Sequence, residues 1–150
     1  ALSNPPSKAE CTAEQAYQWT NGECVFISGS PFDPVTLSNG KTYRPGQGNN
    51  AYIFPGLGLG AIVAKALTIN DDDFLVAART VAENVDASML AAGAAYPPLN
   101  QLTTVSRRIA IAVGRHVIDT GRSSLPPDTT DAELEALCDA YQYDPFKQYL

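Results

Sequence analysis

Apolar and polar residues follow two rhythms along this chain. A helical period dominates its second half. Val105, Ile109, Ala112, Val113 and Val117 fall on one stripe, which predicts a helix from Leu102 to Thr120 ended by Gly121. Asn70 or Asp71 caps an earlier helix whose apolar face is Phe74, Leu75, Ala77, Ala78, Val81, Ala82 and Val85. Thr12 and Gln15 have the spacing of a capping box, so a short helix runs from Ala13 to about Thr20 and stops at Asn21-Gly22. Ala61 to Lys65 is helical by composition, and Thr130 with Glu133 caps a last helix through Leu137. The other rhythm is extended. Ala1-Leu2 reads as the tail of an apolar strand. Cys24-Val25-Phe26-Ile27 is a continuous apolar run, the pattern of a strand buried on both faces of a parallel sheet. Leu37 to Tyr43 carries an Asn39-Gly40 hairpin turn.

Between these elements lie loops. Asn4-Pro5-Pro6-Ser7 is one, because two prolines disfavour helix and ladder alike. Pro45-Gly46-Gln47-Gly48-Asn49-Asn50 is another, and its two glycines flanking an amide mark a backbone that approaches something closely. The order is strand, helix, strand, hairpin, then four helices. That predicts an α/β fold, the C-terminal part of a doubly wound parallel sheet finished by a helical layer. Two strands make a poor sheet, so the remaining strands are expected ahead of Ala1. The chain opens Ala1-Leu2-Ser3-Asn4-Pro5 and its sole methionine is Met89, which also favours a part of a longer protein. Pro126-Pro127 makes a linker, and the tail is aromatic through Tyr141, Tyr143, Phe146 and Tyr149.

Charge and composition narrow the function classes. The hydrophobic fraction is 45% and the charged fraction 17%, the balance of a packed globular chain. A net charge of -6 disfavours nucleic acid and anionic lipid as partners. The longest apolar stretch, Pro55 to Leu67, is too short for a membrane span and is broken by three glycines. Cys11, Cys24 and Cys138 are odd in number and match no zinc spacing, so they read as reduced, structural cysteines of an intracellular protein.

Several segments suggest chemistry. Gly56, Gly58 and Ala61 fit a G-x-G-x-x-[GA] phosphate turn, but Pro55 sits where a central strand would be ending. The competing reading, a helix whose small residues let a neighbour pack closely, is preferred. Asp71-Asp72-Asp73 lie at a helix start, where the dipole favours negative charge, and three consecutive carboxylates do not converge on a metal. His116 is mid-helix with no ligand pattern around it. Ser28-Gly29-Ser30 resembles a nucleophile turn, but Pro31 blocks the helix that should follow. Asn4 and Asn49 differ from these. Each sits in a Pro- or Gly-rich loop, and the first loop leaves the carboxyl end of a strand, where open α/β sheets bind ligands. An uncharged amide offers donors and an acceptor together. Turn chemistry explains the same asparagines equally well.

Taken in order, Leu2-Ser3-Asn4-Pro5, Ala9 to Tyr17, Phe26-Ile27-Ser28-Gly29-Ser30-Pro31-Phe32-Asp33-Pro34-Val35 and Pro45 to Gly56 closely resemble the C-terminal half of the NAD(P)-binding domain of malic enzymes. Tyr96-Pro97-Pro98-Leu99 and Val105 to Ala110 fit the family's later helices. The likeness covers residues 1–121 and leaves 122–150 as a C-terminal linker, helix and tail.

The resemblance implies a Rossmann-like fold and a part in oxidising L-malate to pyruvate and carbon dioxide, with NAD or NADP as hydride acceptor and Mg2+ or Mn2+ as metal. It assigns malate binding to Asn4, Asn49 and the adjacent Asn50, and the nicotinamide side of the pocket to Leu2, Asn4 and Gly29. The family's phosphate loop lies earlier than any residue here, which again makes Gly56 to Ala61 a packed helix. Its general acid, general base, substrate arginine and metal ligands also lie upstream, and Lys8 and Lys65 match none of them. Pro6 stands where many relatives have Thr and should stiffen the loop after Asn4. No catalytic residue and no metal ligand is therefore assigned to this segment, which is expected to be inactive alone. Its partners would be malate or pyruvate and the remainder of the enzyme chain, in a homo-oligomer when intact, in the cytoplasm or an organellar matrix. The other reading is a catalytically inactive binding or assembly module derived from the same family.

Overall fold

The computed structural model describes residues 1–3 and 5–143. These divide into two compact units, one formed by Ala1–Asn50 with Val81–Gln101, the other by Ala51–Thr80 with the chain from Leu102 onward.

The first unit holds α1 (Ala13–Trp19) and four two-residue strands: β1 (Ile27–Ser28), β2 (Val35–Thr36), β3 (Thr42–Tyr43) and β4 (Gly46–Gln47). The expected capping box starts α1, Thr12 Oγ1 accepting from Gln15 N at 3.2 Å and Gln15 Oε1 from Thr12 N at 2.9 Å. Asn21 takes a left-handed φ of 51°, and Gly22 N returns to Tyr17 O at 2.8 Å, the paired closure of a Schellman motif. A Cβ at Gly22 would collide with the Tyr43 phenol. β2 and β3 form the expected hairpin, pairing Val35 with Tyr43 and Thr36 with Thr42. Gly40 supplies the positive φ its turn requires (78°). The core of this unit is Ala13, Tyr17, Phe26 and Tyr43. The Tyr17 and Tyr43 rings stack at 4.8 Å.

Three expectations for this unit change. The strand predicted over Cys24 to Ile27 is shorter and later, because burial alternates: Val25 is 57% exposed while Phe26 and Ser28 are buried. Gly46-Gln47, read as loop, is a strand that pairs parallel to β1. The Pro5-Pro6 loop contains a 3-10 turn, Pro6–Lys8, since proline is tolerated where no helical N–H partner is needed. A short helix, α4 (Ala87–Ala91), was also unanticipated; Asp86 caps it through Met89 N at 2.8 Å.

The second unit is helical: α2 (Phe54–Val63), most of α3 (Asp71–Glu83), α5 (Leu102–Asp119) and α6 (Asp131–Tyr141). α5 follows its predicted span and buries Val105, Ile109, Ala110, Val113, Gly114, Val117 and Ile118. Gly121 (φ 68°) ends it, with Arg122 N on Val117 O at 2.9 Å. α6 has the predicted Thr130–Glu133 capping box, runs on past Leu137 to Tyr141, and buries Leu134 and Cys138.

α2 starts well before the expected Ala61. Pro55 occupies its first turn, where a missing N–H is harmless, and a 3-10 turn over Asn50–Tyr52 leads in. α3 is rotated from its predicted face. Asp73, Ala77, Thr80 and Val81 are buried, whereas Phe74, Leu75, Ala78 and Ala82 are exposed. Two polar residues point inward because each has a partner: Asp73 meets Arg122, and the Thr80 hydroxyl donates to Val76 O at 2.9 Å.

Candidate functional site

The β1–β4 ladder is parallel, with Ile27 opposite Gly46 and Ser28 opposite Gln47. A third extended segment lies on the other side of β1. The Ala1 nitrogen donates to Ile27 O at 2.9 Å, and Gly29 N donates to Ala1 O at 3.2 Å. Two bonds that straddle Ser28 in this way are the pattern of parallel pairing. On the β4 side, Gly46 N donates to Phe26 O at 2.9 Å and Gly48 N to Ser28 O at 2.8 Å. Three chain segments therefore run the same way, and all three enter loops at their carboxyl ends: Leu2-Ser3, Gly29-Ser30 and Gly48-Asn49-Asn50.

The glycines at this end make close approach possible. A Cβ at Gly48 would lie 3.2 Å from Ile27 Cγ2 and 3.4 Å from Leu2 Cδ2. One at Gly46 would lie 3.5 Å from Ile27 Cγ1 and 3.6 Å from Tyr96 Cδ2. Leu2 thus leans over the backbone of Gly48 yet keeps 62% of its surface exposed. Asn49 and Asn50 are exposed, and Asn50 opens the turn whose last residue, Tyr52, is buried. Of the residues singled out from sequence, Leu2 lies against Gly48, the residue before Asn49, and Gly29 is bonded to the residue before Leu2. Asn4 lies outside the described residues. Leu2, Gly29, Asn49 and Asn50 carry no charge, so this edge offers amides, glycine backbone and an apolar side chain.

Hydrogen bonds hold each loop. Ser3 donates from Oγ to Glu10 Oε1 at 2.7 Å and from N to Glu10 Oε2 at 3.4 Å. The Ser3 hydroxyl holds the Glu10 carboxyl below its ordinary pKa. Lys8 N donates to Pro5 O at 2.8 Å. In the second loop, Ser30 N donates to Ser28 Oγ at 3.3 Å. Gln47 Nε2 donates to Gly29 O at 3.4 Å, joining the second loop to β4. Sequence reasoning assigned no role to Glu10 or Gln47. The signal available for Gln47 was its place between two glycines.

The remaining candidates have structural explanations. Gly56 and Gly60 lie inside α2 against α5: a Cβ at Gly56 would be 2.6 Å from Ser106 O, and one at Gly60 2.8 Å from Ala110 O. The Gly56 to Ala61 run is a packing surface, in keeping with the preferred reading. Asp71, Asp72 and Asp73 occupy the first turn of α3. The Asp73 carboxylate is spent on Arg122 and on Asn70 N at 2.8 Å. His116 Nε2 lies 3.8 Å from Asp73 Oδ1, outside hydrogen-bond range. Among the described residues, no group of three or more His, Cys, Asp or Glu side chains could hold a metal ion. No helix among them is long and apolar enough to cross a membrane. Two open clefts of about 340 and 420 Å3 flank α1, and neither is lined by Leu2, Gly29, Asn49 or Asn50.

Comparison with known proteins agrees with this architecture. The family model described as malic enzyme, NAD binding domain, matches residues 1–118. The NADP-dependent malic enzyme of Dictyostelium discoideum is 51% identical over 97% of this chain, and the match covers 26% of that protein. The NADP-dependent malic enzyme of Anas platyrhynchos is 48% identical over 96% of this chain and 26% of its own length. The mitochondrial NADP-dependent malic enzyme of Homo sapiens is 47% identical over 97% of this chain and 24% of its own length. The chain spans about a quarter of the length of these curated relatives.

Proposed function

The chain belongs to the malic enzyme family, through its NAD-binding domain, and from that premise we propose that it forms part of an enzyme that oxidises L-malate to pyruvate and carbon dioxide while reducing NAD or NADP. In this reading Asn4, Asn49 and Asn50 orient malate, and Leu2, Asn4 and Gly29 line the nicotinamide. The observation that supports it is the convergence of three parallel segments, whose carboxyl ends release the Leu2, Gly29 and Asn49-Asn50 loops on one side. Ligands of open α/β sheets bind at such an edge.

The residues suit part of the chemistry. Amides bond a carboxylate without adding charge, and holding the substrate in one orientation accounts for much of a rate enhancement. Glycine backbone and the exposed Leu2 side chain suit contact with the flat face of a nicotinamide ring. NAD or NADP, when bound, accepts the hydride from malate C2. The hydroxyl proton of malate needs a base, and no residue of this segment is assigned that role. Mg2+ or Mn2+ belongs to the same reaction, but the described residues do not fit one. Base, acid and metal ligands would therefore come from other parts of the enzyme, and the segment alone would be inactive. The intact enzyme would be an intracellular homo-oligomer, in the cytoplasm or an organellar matrix.

The test is malate-dependent reduction of NAD and of NADP by the native full-length protein with Mn2+ present. Reduction that requires malate is the expected result. Saturating cofactor and metal with no malate-dependent reduction would overturn the proposal.

A further inference from the structure

We infer that Gln47 is a positioning residue, whose side-chain amide fixes the Gly29 loop relative to the loop carrying Asn49. The inference rests on the malic enzyme reading above.

Gln47 is the one long side chain between Pro45 and Gly48. Its neighbours Gly46 and Gly48 turn their Cα hydrogens toward Ile27, Tyr96 and Leu2. In a strand, successive side chains take opposite faces, so Gln47 points away from the Leu2 face. There its Nε2 donates to Gly29 O at 3.4 Å, across a sequence separation of 18 residues. The Gly29 N–H is already donated to Ala1 O at 3.2 Å. Both polar groups of this glycine are thus held by its two neighbouring segments, one from each side.

Two consequences follow. Gly29 can offer a ring its bare Cα, while its N–H is spent. The height of the Gly29 loop above the sheet edge is also coupled to β4, whose next residues are Gly48 and Asn49. A shift of one loop moves the other, and a displacement of even about 1 Å in a substrate-holding constellation can lower the rate substantially. Gln47 reaches substrate and cofactor only through Gly29.

The test uses the native full-length protein and two variants of similar length. Gln47→Met keeps the volume and removes the donor. Gln47→Glu keeps the shape and, when ionised, sets a carboxylate against a carbonyl oxygen. Losing this one long hydrogen bond predicts a roughly twofold to fivefold fall in kcat/KM for Gln47→Met, carried mainly by kcat, with Tm unchanged. Gln47→Glu should lose more than Gln47→Met, because an ionised carboxylate then faces the Gly29 carbonyl oxygen with no proton to donate. Wild-type kcat/KM in Gln47→Met overturns the inference, and so does a loss that only tracks a fall in Tm. A wild-type protein with no malate-dependent reduction overturns the functional reading and this inference with it, so the two failures are distinguishable.

Discussion

Asp73 gives both of its carboxylate oxygens to Arg122, with Nη1 2.7 Å from Oδ2 and Nη2 2.8 Å from Oδ1. The Asp73 side chain is fully buried, at 0% exposure, and the Arg122 side chain retains 17%. The same guanidinium also donates to Thr68 O at 3.2 Å and to Thr120 Oγ1 at 3.0 Å. Beside it, Leu67 N donates to Arg122 O at 2.8 Å and Ser123 Oγ to Ala64 O at 2.5 Å. The junction between α2 and α3 is thereby stitched to the segment following α5. Burial of a charge is tolerable here because the partner is bidentate and two further donors of the guanidinium are used.

Removing either partner should have unequal effects. Arg122→Met leaves a buried, unpaired carboxylate and should destabilise by about 3–5 kcal/mol. Asp73→Asn keeps volume and an acceptor and should cost less. The Arg122 hydrogen bonds, the largest cause, hold the Asp73 pKa below its ordinary value. A depressed folded-state pKa contributes stability that is fully present above the unfolded value, about 3.9, and is lost as pH falls through the folded one. Urea midpoints should therefore separate wild type from Asp73→Asn at pH 7 and converge at the acid end. Parallel curves at all pH values would contradict this.

The glycines of α2 predict opposite signs for one kind of substitution. A Cβ at Gly58 would have nothing within 4 Å, whereas one at Gly56 would meet Ile109 Cβ at 2.6 Å and one at Gly60 would meet Ala110 O at 2.8 Å. Gly58→Ala should stabilise by about 0.4–1 kcal/mol through lower unfolded-state entropy. Gly56→Ala and Gly60→Ala should destabilise by about 1–3 kcal/mol, because backbone has to shift. Chemical denaturation of the three variants decides it. Had this run been a phosphate turn instead, Gly58→Ala would impair nucleotide binding.

α6 is held to α5 by apolar burial more than by its ion pairs. Arg107 pairs with Asp139 at 2.8 Å and with Glu135 at 3.4 Å, but the partners are 59% and 50% exposed. Pairs so wet contribute about 0–1 kcal/mol. Leu134 is fully buried and lies beside Gly114. Leu134→Ala should destabilise by about 2–5 kcal/mol, against less than about 1 kcal/mol for Arg107→Met, in the same denaturation assay. The Cys138 thiol nearby is pushed up in pKa by burial, so thiol reagents should reach it slowly.

Local signals made much of this fold legible. Both capping boxes, the Asn39-Gly40 turn and the stops at Asn21-Gly22 and Gly121 depend on residues a few positions apart, and each formed where its chemistry is written. Non-local pairing was less readable. Gly46-Gln47 has no strand propensity and is a strand because β1 lies beside it. The burial of Asp73 depends on Arg122, 49 residues away, and goes with a rotation of α3 from its expected face, which keeps Ala77 and Val81 buried. For the site, the Gly- and Pro-rich loops around asparagines were visible, but the strand that precedes Asn49 was not, and Asn4 lies outside the described residues. The bracing by Glu10 and Gln47 was not, because a carboxylate or amide on a short segment does not name its partner.

Asn49 supplies the most direct test of the proposed substrate contact. It is exposed, follows Gly48 at the carboxyl end of β4, and sits on the edge that also carries Leu2. A hydrogen bond from its amide to a malate carboxylate is charge-assisted and worth about 1.5–3 kcal/mol. Asn49→Ala should then lower kcat/KM for malate roughly tenfold to a hundredfold in the native full-length protein. Asn49→Asp should lose more, because an isosteric carboxylate replaces the donor with a like charge facing a dianion. KM for the nucleotide should change far less in both. If turn chemistry is the whole reason for this asparagine, Asn49→Asp, which preserves turn geometry, will keep wild-type kinetics. The order Asn, Ala, Asp in catalytic efficiency therefore separates a substrate contact from a turn residue.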